Sequence, residues 1–129
     1  MLASVGNYLL YFVSTLVLLV VAIFIYIKVL PYDELALIRK GNTAAAVALA
    51  GTMMGYAAVV WSATSHGANL LETAVWSAVA LVSQIVAFEV IHFLFRDFKA
   101  EMEKGDVAYG IILGAFSLAI GIINAGCLT

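Results

Sequence analysis

Glu89, His92 and Arg96 stand three and then four residues apart, so on a helix all three share one face. A carboxyl and an imidazole so placed can serve a proton or cation path. In the bland arrangement, Arg96 offsets the Glu89 charge and both side chains snorkel toward lipid headgroups. Glu-x-x-His also puts two metal ligands on one face, as in four-helix di-iron proteins. That chemistry needs a second such motif, and the corresponding earlier positions, Ile25 and Lys28, do not supply one. Thr52, Gln84 and Asn124 are neutral polar residues set in long apolar runs. At about 1.5 Å of rise per residue, Thr52 lies ~15 Å beyond Asn42 and Gln84 ~16 Å before Phe95. The two share a depth, so they are expected either to join their helices by a hydrogen bond or to line a polar path.

No other constellation offers chemistry. His66 has only Glu72 as an acidic neighbour, and Ser, His and Asp form no plausible catalytic set. Nothing resembles a phosphate-binding glycine loop or a basic nucleic-acid patch. Cys127 is the one cysteine, which precludes an intrachain disulfide, and its place does not fit a prenylation box. The expectation is a protein without catalytic residues, cofactor or metal, and with no nucleic-acid partner.

The elements that must hold these residues are membrane spans. Of 129 residues, 65% are hydrophobic and only 11% charged, too few polar groups to cover the outside of a soluble globule. Soluble enzyme, nucleic-acid binder and disordered regulator are thereby excluded. A spanning helix needs roughly 20 apolar residues, and four segments qualify: Asn7 to Leu30, Thr43 to Thr64, Leu70 to Phe95 and Val107 to Leu128. Backbone groups in lipid must be satisfied internally, so each should be α-helical. The first run has no preceding Lys or Arg and is too long for a signal sequence, so it reads as a permanent span. The fold expected is an all-α membrane protein, a single domain over residues 1–129.

All six Lys and Arg residues fall in or beside the connections after spans one and three. By the positive-inside rule those connections are cytoplasmic, with both termini and the middle loop, Ser65 to Asn69, outside. Trp61, Trp76, Tyr8 and Tyr11 then sit where interfacial anchors belong. Every charged residue except Glu72 and Glu89 lies between Lys28 and Asn42 or between Phe95 and Asp106.

The two halves, 7–64 and 70–128, align on each other. Phe24 falls on Phe88, Asp33 on Asp97, Lys40-Gly41-Asn42 on Lys104-Gly105-Asp106, and Leu49 on Leu113. Two spans per unit make these parallel repeats. Gly41 and Gly105 can end a preceding helix in the left-handed conformation, and Asn42 and Asp106 can cap the next span. Pro31 separates the first short connecting segment from its span, whereas nothing is expected to break span three before Gly105. Gly51 with Gly55, and Gly110 with Gly114, are GxxxG pairs, and Gly121 extends the small-residue spacing. Spans two and four should therefore pack closely together or against a second subunit.

The run Pro31, Glu34, Leu37-Ile38, Asn42-Thr43-Ala44-Ala45, Gly51-Thr52 and Gly55-Tyr56 resembles the YjfL-type bacterial membrane proteins. So do Ala80-Leu81-Val82 with Gln84 and Phe88, and the ending Gly121, Asn124-Ala125, Cys127 and Thr129. The resemblance implies a multi-pass bacterial inner-membrane protein of two repeated two-helix units. It also implies neighbourhoods with envelope-stress proteins similar to phage-shock protein A and with polyamine-related enzymes. Thr52, Gln84 and Asn124 belong to the pattern; Glu89 and His92 do not, which moves weight from the proton path to the neutral trio.

The functional expectation is a non-enzymatic component of an envelope or membrane-stress assembly. It would dock a partner through its cytoplasmic loops, at Glu34, Arg39, Asn42 and Asp106. The alternative is a subunit of an oligomeric ion, proton or polyamine channel or transporter. The lipid bilayer is a partner in either case, with a homo-oligomer or a protein partner at the cytoplasmic face.

Overall fold

A computed structural model describes residues 1–67 and 69–128. Ala68 in the middle loop and Thr129 of the family-like ending lie outside the described residues. Six helices are described: α1 (Leu2–Val29), α2 (Glu34–Arg39), α3 (Thr43–His66), α4 (Leu70–Leu94), α5 (Phe98–Lys104) and α6 (Val107–Gly126). The four long ones are long and apolar enough to cross a membrane. The fold is all-α with four membrane-spanning helices.

Helices α3 and α6 form the central pair, and α4 packs on both. Packing follows the small residues. A Cβ at Gly51 would overlap the Gly114 backbone, and one at Gly121 would overlap the Gly55 backbone. One at Gly110 would strike Ala44, and one at Gly114 would press on Val47. Apolar burial does not draw helices together inside lipid, so such close approach supplies the dispersion contacts that do. Helix α1 packs more lightly, on α4 and α3. It buries only Ala22 and Tyr26 and turns Leu9, Phe12, Val17 and Phe24 outward. A lateral groove of about 740 Å³, lined by Tyr11, Leu16, Val60 and Trp61 among others, separates its first half from α3. Helices α1 and α4, which correspond in the internal alignment, are thus unequal in packing.

The two short helices fold under one end of the bundle. Each stops in the same way. Gly41 (φ 85°) and Gly105 (φ 88°) take left-handed backbone. Asn42 N–H donates to the Leu37 carbonyl and Gly41 N–H to that of Ile38. Asp106 N–H donates likewise to Glu101, and Gly105 N–H to Met102. These are Schellman closures, which use carbonyls that the helix end leaves free. Asn42 then caps α3 by accepting from Ala45 N–H at 3.0 Å, and Asp106 caps α6 by accepting from Ala108 N–H at 3.1 Å.

One break departs from the sequence reading. Nothing in the sequence marks a break between span three and Gly105, yet α4 ends at Leu94 and Phe95 is extended. No proline is needed there. The bend turns Phe98 and Met102 inward, where both are completely buried, and Phe98 meets Phe88 edge-on at 5.8 Å. Tertiary burial of two large side chains outweighs the cost of one interrupted helical turn.

Candidate functional site

The polar residues of the spans join helices to one another. Thr52 Oγ1 donates to the Ala48 carbonyl within α3 at 3.1 Å and lies in hydrogen-bond contact, at 3.4 Å, with the Tyr26 hydroxyl of α1. Tyr56 donates to the Leu18 carbonyl at 3.3 Å, tying α3 to α1 again. Ser62 donates to the Ala125 carbonyl of α6 at 2.7 Å. Gln84 Nε2 donates to the Ser117 carbonyl of α6 at 3.1 Å, and Asn124 Nδ2 donates to Ser83 Oγ of α4 at 3.2 Å. The expected Thr52–Gln84 bond does not form. Gln84 instead enters the space left by the missing side chain of Gly55, where a Cβ would press on its carboxamide nitrogen.

Glu89 and His92 share a side of α4, and Arg96, beyond the end of that helix, lines the same surface pocket, but no ion pair joins Glu89 to Arg96. Glu89 and Arg96 are exposed on the outer surface, and Lys104 pairs instead with Glu101 at 3.1 Å. His92 stacks on Phe88 at 5.5 Å and meets Phe98 edge-on at 6.3 Å. The Glu89–Arg96 compensation read from spacing is therefore corrected. On a helix face turned away from its neighbours the two long side chains have no wall to hold them together, and an exposed ion pair gains little against their entropy.

Glu34 is a second correction. As a charged residue of a connection it read as a docking residue, but only 1% of it is exposed. Helix α2 is positioned by Asp33, which accepts from Ala36 N–H at 3.2 Å. That start turns Glu34, the first helical residue, into the bundle, while Arg39 and Lys40 project outward. Neither Glu34 oxygen has a hydrogen-bond partner, and the buried Tyr32 hydroxyl beside it has none either. Tyr26 and Tyr32, on which Glu34 bears electrostatically, belong to the buried apolar cluster that also holds Leu30, Phe88, Phe98 and Met102. Burial pushes the Glu34 carboxyl up to about 8. Burial first, and then the Glu34 charge, push the Tyr32 phenol well above its usual range. Placing a carboxyl in apolar surroundings favours its neutral form. Tyr32 is the candidate that the sequence did not single out, and Glu34 was expected on the surface rather than buried. The one available signal was an acidic residue three positions after a proline at a span's end.

The two connections are also joined to each other. Asn42 Nδ2 donates to the Met102 carbonyl at 2.7 Å, from one connection to the other, while its Oδ1 caps α3. Asp106 makes only its cap, and Asp97 accepts from the Tyr109 hydroxyl at 3.1 Å. Arg39, Lys40, Lys99, Glu103 and Lys104 remain exposed on this end.

The pattern that defines the Domain of Unknown Function family DUF350 matches residues 1–128. The chain is 32% identical over 119 residues to "UPF0719 inner membrane protein YjfL" of Escherichia coli (strain K12), covering 92% of this chain and 90% of the relative. It is 28% identical over 117 residues to "UPF0719 transmembrane protein YshE" of Bacillus subtilis (strain 168), covering 89% and 87%. No solved structure matches it. With four membrane-capable helices and relatives named for the inner membrane, it is a multi-pass inner-membrane protein. The chain belongs to the DUF350 family.

Proposed function

We propose that this protein is a non-enzymatic component of an envelope or membrane-stress assembly. It docks a protein partner through the charged end that α2 and α5 build on the cytoplasmic side. The orientation follows from the six basic residues grouped in these two connections. The observation that carries the reading is the Asn42–Met102 bond. It links two connections distant in sequence into one surface, from which Arg39, Lys40, Lys99 and Lys104 project. The envelope setting is the one implied by the family resemblance.

The conducting alternative needs Thr52 and Gln84 to face a lumen. Each is 1% exposed and bonded within one chain, which favours docking over conduction. The test is cross-linking in cells followed by purification in mild detergent, comparing the native chain with Arg39→Glu combined with Lys104→Glu. The native chain should retain a defined protein that the reversed-charge variant loses at equal abundance. Identical recovery by both chains rejects the reading.

A further inference from the structure

Helix α2 is short and bounded by two points where the backbone turns. Before it lie Leu30, in extended backbone, and Pro31; after it lies Gly41 at φ 85°. Its attachment is mainly to α3, through half-buried Leu37 and Ile38 and through Glu34 beneath them. Glu34 is the unusual part of that attachment. A carboxylate buried without a partner is strongly disfavoured, whereas a neutral carboxylic acid is tolerated far better.

We propose that Glu34 is a proton-binding site that controls whether α2 lies seated on the bundle. With the proton bound, the carboxyl rests in the apolar cluster. When the proton leaves to water, α2 swings out on Pro31 and Gly41 and takes the carboxylate to solvent. No charge inside the cluster can replace the proton. The groups bearing on Glu34 are the neutral Tyr26 phenol from α1 and the neutral Tyr32 phenol from the linker. Asp33, on the same linker, points outward to its cap. Lys28 in the last turn of α1 makes no ion pair. From α3 no titratable side chain appears before Tyr56. From α4, His92 is engaged by the rings of Phe88 and Phe98, and Glu89 faces outward. From α5, Phe98 and Met102 point in, while Glu101 and Lys104 pair with each other at the surface.

The raised pKa of the seated carboxyl agrees with this geometry and sets the range. Seating weakens as pH rises above the ordinary carboxyl value of 4.5, and the loss is complete at about 8. The inference stands apart from the docking reading, since it needs only the chain, lipid and water.

The experiment uses the full chain in lipid nanodiscs, with Cys127→Ser to remove the exposed native thiol and Ile38→Cys to report on α2. Modification by a membrane-impermeant maleimide is timed from about pH 5 to about pH 9. Each rate is divided by that of the same protein carrying Glu34→Gln, which removes the intrinsic rise of thiol reactivity with pH. The ratio should climb, by up to about tenfold per pH unit, and level off beyond about 8. A ratio that stays constant with pH overturns the proposal. A second measurement needs no substitution. A hydrophobic carbodiimide should modify Glu34 below about pH 8 and spare exposed Asp33. Failure to modify Glu34 at any pH, or equal reaction of Glu34 and Asp33 with a water-soluble carbodiimide, likewise overturns it.

Discussion

Gln84 reaches the backbone of Ser117 at 3.1 Å through a space that exists because residue 55 has no side chain. Three helices meet there, and the carboxamide of α4 fills a point where α3 and α6 approach closely. A polar residue at mid-depth and a glycine on another helix are thus two halves of one packing device.

Gly55→Ala and Gly121→Ala should each destabilise the bundle by about 1–3 kcal/mol, the usual cost of overpacking a filled core. Gly126→Ala, which meets nothing within 4 Å, should leave stability unchanged. Denaturant unfolding in micelles, followed by circular dichroism, gives the comparison.

Gln84→Leu should cost less, about 0.6–2 kcal/mol, the range for an interhelical hydrogen bond in a membrane. Combined with Gly55→Ala the loss should be less than additive, because both changes act on one contact. Strict additivity in the double-mutant cycle would refute the shared site.

Asn42 caps α3 and Asp106 caps α6, but only Asn42 also holds Met102. Asp106→Ala should cost about 1 kcal/mol, as loss of a cap does. Asn42→Ala should cost about 1 kcal/mol more, for the cross-connection bond. Hydrogen exchange should reveal the extra loss as faster exchange in α5, a helix that Asn42 does not belong to.

Glu34 sets a pH dependence of stability. Its carboxyl holds a proton more tightly in the folded chain than in the unfolded one, with a value raised from 4.5 to about 8. The folded state therefore loses stability as pH climbs between those values, by up to about 1.4 kcal/mol per unit, and no further above them. Glu34→Gln should flatten that part of the profile. Thermal melts across the range provide the measurement, and parallel curves for the two proteins would contradict the burial of this group.

Glu89→Gln should change stability by no more than about 0.5 kcal/mol, as expected of a side chain that faces outward without a partner. His92→Ala should cost about 0.5–1.5 kcal/mol through its lost ring contacts with Phe88 and Phe98. Melting the two variants side by side separates the pair that spacing had grouped together.

Membrane residence, four helices and their approximate limits were legible in the sequence because lipid imposes them locally. Each span needs about 20 apolar residues and a closed set of backbone hydrogen bonds, and both conditions are written along one stretch of chain. The caps at Asn42 and Asp106 were legible for the same reason, since a cap acts within three residues. Which face of a helix turns inward is not a local property. Glu34 and Glu89 look alike in sequence, each an acid next to an apolar run, yet one is buried and the other faces outward. Thr52 and Gln84 were expected at one depth but bond elsewhere, because Tyr26 of α1 and Ser117 of α6 bring partners to each that spacing does not reveal. The bend at Phe95 goes with the burial of Phe98 and Met102, the former edge-on against Phe88 of α4. Composition and spacing determined that this chain lives in a membrane and how often it crosses. Only the tertiary packing decided which of its few polar groups are buried, because burial depends on what the other helices bring to the same place.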